Sequence, residues 1–185
     1  MFIQTEVTPN PATLKFLPGC EVMGEGTANF TNSETAKHSP LALHLFEIDG
    51  VDAVYLGGDF IAVTKADSKE WDTMKPLILG AIMEHFSAGK PVIEDSYFAH
   101  DDPEDDDTID GSIESQIKEL LDTRVRPAVA QDGGDIIFHS FEEGVVYLTM
   151  QGACAGCPSS TATLKDGIEK MLIHYIPEVT EVRSA

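Results

Sequence analysis

Positive charge is scarce in this chain: 12 Lys and Arg stand against 32 Asp and Glu among 185 residues, a formal net charge of −20. Such a surface repels a phosphate backbone over a Debye length of about 8 Å at physiological ionic strength. Nucleic acid is therefore not an expected partner. Long apolar runs are missing as well. The longest, PLILGAIM at 76–83, is broken by Gly80 and ends at Glu84, well short of the roughly 20 residues that a membrane-spanning helix needs. No membrane crossing is expected. The opening MFIQTEV has neither the basic stretch nor the apolar stretch of a secretory signal. It reads instead as a strand in which Phe2, Gln4 and Glu6 alternate with Ile3, Thr5 and Val7. These features point to an intracellular protein. Cysteine is sparse too, with three residues, an odd number, so a disulfide framework is excluded and any paired thiols are better read as ligands or redox groups.

What is present falls into two modules. Residues 1–95 carry 6 basic and 14 acidic side chains, 96–111 carry none and 7, and 112–185 carry 6 and 11. The middle segment, SYFAHDDPEDDDTIDG, is self-repelling and almost without aliphatic residues, the composition of a solvated linker. A first domain over 1–95, an acidic linker over 96–111 and a second domain over 112–185 are expected. In the first, FIQTEV and ATLKFLP form a hairpin around Thr8-Pro9-Asn10-Pro11, since proline cannot donate to a ladder and favours reversals. Ser39-Pro40 opens a short helix in SPLALHLFEI. VDAVYL and DFIAVTK are strands flanking Gly57-Gly58, and Trp71, Met74, Leu77, Ile78, Ile82 and Phe86 recur at helical spacing. No catalytic cluster is apparent. The second domain opens on Asp110 or Ser112 as a cap, and Ile113, Ile117, Leu120, Leu121 and Val125 share one face of a helix that Pro127 is expected to stop. DIIFHSF and VVYLTM are strands joined through Glu142-Glu143-Gly144. A helix from Pro158 to Pro177 then carries Ala162, Leu164, Ile168, Met171, Leu172 and Tyr175, and EVTEVR is available as a last strand. The fold class is α+β, sandwich-like, with an α-β-β-α second domain.

The chemistry concentrates in GACAGCPSS, where Cys154 and Cys157 stand between a strand and a helix. Such a pair can exchange a disulfide, grip zinc or hold part of an iron–sulfur cluster. Orphan N–H groups at the start of the following helix favour the thiolate that all three need. Zinc is usually closed by four ligands, and this domain adds only His139, in a strand, and His174, at the far end of the helix. Iron–sulfur clusters also want four thiolates, so one chain presents half a site and two chains a whole one. A thiol–disulfide oxidoreductase would place the pair after the first strand of a βαβ unit, whereas here it follows the second strand of a hairpin. Cys20, in LPGCEVM, is read as an ordinary buried or half-buried thiol.

The runs VRPAVAQDGGDI and VVYLTMQGACAGCPSSTATLKDGIEKMLIHYIPEV resemble the NifU-type C-terminal domain of Nfu proteins. LKFLPG, SPLALHLFEIDGV and DFIAVTK, with Trp71 and Lys75-Pro76 beyond, are similar to the Nfu N-terminal domain. The resemblance implies a non-enzymatic scaffold or carrier. Such a protein receives a nascent cluster from upstream assembly proteins and passes it to apo iron–sulfur proteins. A labile [4Fe–4S] cluster, with [2Fe–2S] as a second form, is then bridged by Cys154 and Cys157 of two subunits of a homodimer. The thiol oxidoreductase using the same pair is the alternative. Bacterial cytoplasm is the expected location, with the mitochondrial matrix second. Asp132, Gly133, Gly134 and Asp135 match the family's DGGD and are read as turn and cap residues. The second cysteine-rich cluster domain of the larger nitrogen-fixation NifU proteins has no counterpart here.

Overall fold

The computed structural model describes residues 1–24, 26–98, 112–155 and 158–185. The chain divides into two compact units, Met1–Asp105 and Asp106–Ala185. Strands and helices mix in both, as the α+β reading expects.

In the first unit the expected hairpin forms between β1 (Gln4–Val7) and β2 (Thr13–Leu17), with Gln4 opposite Leu17 and Val7 opposite Leu14. Its turn is held by Asn10, whose Oδ1 accepts from the Ala12 N–H at 3.0 Å. A three-residue strand, β3 (Ala28–Phe30), was not expected, because so short a segment shows no alternation to read. Helix α1 (Pro40–Phe46) starts where Ser39-Pro40 place it, with Ser39 Oγ accepting from the Ala42 N–H at 3.1 Å. That same hydroxyl donates to the Val92 carbonyl at 2.6 Å, tying the segment beyond the next helix to the cap. Strands β4 (Val51–Leu56) and β5 (Ile61–Lys65) pair across Gly57-Gly58, giving an antiparallel sheet of order β1-β2-β5-β4-β3.

Helix α2 (Trp71–Ser87) buries Met74, Ile78, Ala81, Ile82 and His85. Leu77, expected on this stripe, is instead exposed, because the buried arc is centred on Ile78 and His85 and leaves it to one side. The core joins Phe16, Leu56 and Ile61 of the sheet to Leu41, Leu45, Ile78 and Ile82 of the helices, all fully buried. Each such side chain contributes roughly 1.5–3 kcal/mol by leaving water. Residues 96–98, assigned from the sequence to the acidic linker, lie in a helical turn, α3 (Asp95–Phe98), whose Tyr97 meets Phe30 edge-on at 5.9 Å. The rest of that segment lies outside the described residues. Cys20 is exposed rather than buried, since the chain turns out into solvent at Gly19, after the buried Pro18.

The second unit opens with α4 (Ile113–Leu120), capped by Ser112 Oγ, which accepts from the Ser115 N–H at 3.3 Å. The expected stop at Pro127 does not occur. The chain passes through a π-helical segment, Leu121–Val125, into α5 (Arg126–Gln131), with Pro127 in the first turn of α5. There its missing N–H removes no bond the new helix needs. The apolar spacing accounts for the wide turn. Ile117, Leu121, Val125 and Val129 are all buried at steps of four, and a straight α-helix would carry such a series round by about 40° per step. A turn with i→i+5 bonding absorbs that drift and keeps one face toward the core.

Helix α5 ends at Gln131; beyond its cap Asp132, Gly133 takes the left-handed region with φ +78°, and the chain enters β6 (Gly134–Glu142). Strand β6 pairs antiparallel with β7 (Val145–Gly152) through a turn with Glu143 and Gly144 both at positive φ. Helix α6 (Pro158–Tyr175) leads to β8 (Glu181–Ser184), which lies parallel to β7 and completes the order β6-β7-β8. The unit is thus α-β-β-α-β. Ile168 and Leu172 of α6 are buried as expected, but Ala162 and Tyr175 are exposed. Tyr175 instead receives the Arg124 guanidinium over its ring at 4.9 Å, outside the core.

Candidate functional site

The cysteine loop leaves β7 at Gly152, whose φ of +64° lets the strand end in a tight reversal. Ala153, next in line, is buried and its N–H donates to the Gly133 carbonyl at 3.0 Å. The Ala155 N–H returns to the Gly152 carbonyl at 3.1 Å. Cys154 is therefore held from both sides by backbone bonds. It is 5% exposed and belongs to the hydrophobic core of the second unit. Cys157 lies outside the described residues, and α6 starts directly after it at Pro158.

The DGGD run meets this loop. Gly134 stands opposite Gly152 in the β6–β7 ladder. A Cβ on Gly134 would overlap Cys154 Sγ and come within 2.9 Å of the Gln151 carbonyl, so the thiol occupies the space a side chain would need. The turn reading of the glycines holds for Gly133; Gly134 is required for close approach instead. Asp135 is neither a turn nor a cap residue. Its carboxylate is buried and receives a forked pair of hydrogen bonds from Arg126, Nε to Oδ1 at 2.9 Å and Nη2 to Oδ2 at 2.8 Å. Its Oδ1 also accepts from the Ile136 N–H at 2.7 Å. Asp122 accepts from Arg126 Nη1 at 3.1 Å on the outer side. The hydrogen bond to Asp135, more than the opposing burial, raises the Arg126 pKa above the ordinary arginine value, so the guanidinium is permanently charged. Sequence reasoning missed Arg126 and Asp135 as a pair, because only the π-helical segment brings residue 126 to the start of β6. The doubled glycine was the readable signal.

The other candidate ligands stay apart. His139 is an exposed residue of β6, and His174 is exposed on the last turn of α6, edge-on to Tyr175 at 5.0 Å. Among the described residues no group of three or more His, Cys, Asp or Glu side chains is placed to hold a metal ion. No described helix is long and apolar enough to cross a membrane.

Two family matches divide the chain as the units do. Residues 3–89 match the family described as scaffold protein Nfu/NifU N terminal, and residues 117–183 match the NifU-like domain. The chain belongs to the Nfu family. It is 50% identical over 186 aligned residues to the protein of Drosophila sechellia named NFU1 iron-sulfur cluster scaffold homolog, mitochondrial, across 98% of this chain and 64% of that protein. It is 51% identical over 184 residues to NifU-like protein 4, mitochondrial, of Arabidopsis thaliana, across 98% of this chain and 65% of the other. This Nfu chain thus spans just under two-thirds of the length of these relatives. A solution structure of a NifU-like protein from Saccharomyces cerevisiae aligns over 51% of this chain and 86% of its own with 28% identity and a TM-score of 0.47.

Proposed function

We propose that this Nfu chain is an iron–sulfur cluster scaffold or carrier and not an enzyme. It takes a nascent cluster as cargo and gives it up to apo iron–sulfur proteins. The observation that carries this reading is the Cys-x-x-Cys loop, set after the second strand of the β6–β7 hairpin and backed by the DGGD glycines, in a chain half identical to Drosophila proteins named as iron-sulfur cluster scaffold homologs. Cys154 and Cys157 are the ligands. Soft thiolates suit iron–sulfur chemistry, and a cubane wants four of them. One chain supplies two, so the cargo is a [4Fe–4S] cluster shared by the loops of two chains, with [2Fe–2S] as a smaller form.

Delivery is ligand exchange. Acceptor thiolates displace the four scaffold thiolates one for one, the oxidation state of the cluster is unchanged, and the freed thiolates take up protons from water. A cluster held half by each partner is released more readily than one enclosed in a single chain, because parting the chains removes two ligands together. The relatives' names place them in mitochondria, which supports the mitochondrial matrix over a bacterial cytoplasm as the place of action.

The test is anaerobic reconstitution with iron and sulfide. The expected product is brown and binds iron and sulfide in equal amounts, and it loses the cluster to an apo-acceptor faster than cluster dissociates into buffer. A protein that stays colourless under these conditions yet catalyses disulfide reduction would replace the carrier reading with the oxidoreductase one.

A further inference from the structure

The thiol that the proposed function needs at the surface is buried, and it is buried in a made space. Three features build that space. Gly134 leaves out the Cβ that would overlap Cys154 Sγ. The Ala153 N–H to Gly133 carbonyl bond, 3.0 Å, fixes the backbone on one side of the thiol to the same dipeptide. The third is the forked Arg126–Asp135 pair at 2.9 and 2.8 Å, which anchors β6 one residue beyond Gly134. A carboxylate as buried as Asp135 is held in place only while its hydrogen-bonding partners remain, since an unpaired buried charge is costly. The fork therefore fixes where β6 begins, β6 fixes Gly134, and Gly134 fixes how closely Cys154 can pack. Asp122, on the outer side of Arg126, aligns the guanidinium from the π-helical segment.

We propose that Arg126, Asp135 and Gly134 form a seat that holds the Cys154 thiol buried in the unloaded chain, shielding it from oxidants and stray soft metal ions until cargo is offered. This rests on the carrier reading for the meaning of the shielding, but the seat itself is a property of the unloaded chain. The three are positioning residues: in this structure they touch Cys154 or each other. Reaction of a buried thiol requires a local opening, and its rate tracks the population of the open form. Seating thus converts the Arg126–Asp135 fork into protection of a side chain that neither residue modifies chemically.

The experiment is alkylation of the reduced, unloaded full chain with iodoacetamide, resolved by peptide mass spectrometry, alongside amide hydrogen exchange. In the wild type, exposed Cys20 should be modified much faster than Cys154. Arg126→Met should speed modification of Cys154 at least about tenfold, the factor that loss of one charge-assisted hydrogen bond brings to an opening equilibrium, and Gly134→Ala, whose methyl would overlap Sγ, should speed it by a similar factor through overpacking. Cys20 should be unchanged. Arg126→Lys keeps the charge but not the fork and should fall between. Should Arg126→Met fail to fold, Arg126→Lys and Gly134→Ala decide the matter. Rates for Cys154 within twofold of the wild type in the folded variants overturn the seat. So does an increase in Arg126→Lys that comes only with faster exchange throughout β7 and α6, which marks general loosening. Iron binding by the wild type is scored separately. If it fails while the alkylation pattern holds, the carrier reading falls and the seat stands.

Discussion

At Cys154, a proposed ligand, replacement by serine is expected to have two effects at once. In an exposed loop serine would be nearly isosteric, but this side chain is buried and belongs to the same hydrophobic cluster as Ile117, Val129, Ile136 and Leu148. A hydroxyl there, without a new partner, costs about 1–3 kcal/mol. Cys154→Ser should therefore lose the cluster and also lower the melting temperature, whereas Cys154→Ala should lose the cluster with the smaller cost of a slightly underfilled site. Iron per chain after reconstitution, read beside a thermal melt, separates the two effects; full occupancy in either variant sinks the ligand assignment. Cys20→Ser, at an exposed position, should change stability by no more than about 0.5 kcal/mol and leave cluster uptake intact.

His85 gives a pH test of the first unit. It is 2% exposed, its Nε2–H donates to the Pro91 carbonyl at 3.1 Å, and burial lowers its pKa below 6.5, with the charges of His44 and Lys90 adding to the effect. The folded state thus holds it neutral where the unfolded chain takes up a proton. Stability is full above pH 6.5 and falls as the pH drops through 6.5 toward the lowered folded value, by up to about 1.4 kcal/mol per unit. Melting of the first unit between pH 7 and pH 5 should fall less in His85→Gln than in the wild type, and equal slopes would remove His85 from the account.

Among the elements, the helix entering the second unit shows what patterning reveals and what it conceals. Ser112 as cap and the face of Ile117, Leu121 and Val125 were legible, because capping chemistry and helical spacing are local. The passage beyond Pro127 was not, since the rule that proline ends a helix does not anticipate a wide turn just before it. β3 was hidden by its length, and the exposure of Leu77 and Tyr175 by the fact that periodicity gives a face but not its edges. At the loop, the two thiols were readable from spacing, whereas the fork from Arg126 depends on tertiary placement. The π-helical segment makes a definite prediction. Deleting Thr123 should restore α-helical bonding and rotate Arg126 by about 100° relative to α4. Either the apolar face or the fork is then lost, for a cost of about 2–4 kcal/mol. Denaturant unfolding should show it, with a matching rise in Cys154 alkylation; an unchanged midpoint would mean that the wide turn carries no energetic role.

On the scale of the whole molecule, each unit has a core of its own, one around Phe16, Leu56 and Ile78, the other around Ile117, Leu148 and Leu172. Residues 1–98 and 112–185 expressed separately should each melt cooperatively, and a fragment without a transition would show that its core is incomplete alone. The second fragment carries the loop and is expected to take up cluster by itself. Assembly then follows from ligand counting. A formal charge of −20 per chain opposes association of two copies, but screening over about 8 Å confines that repulsion to charges near the contact. The stretch QGACAGCPSS carries no charged residue at all. Repulsion is therefore weakest where the four thiolates of the proposed shared site would converge, and a ligand that binds only the paired form would stabilise it by mass action. Anaerobic sedimentation of the reconstituted full chain should show a dimer with about two irons per chain, as one shared cubane requires. The unloaded chain should sediment as a smaller species or a weaker dimer, and chelation of the iron should return the loaded form to it. Four irons on a strictly monomeric chain would place two further ligands within one copy and rule out the shared half-sites.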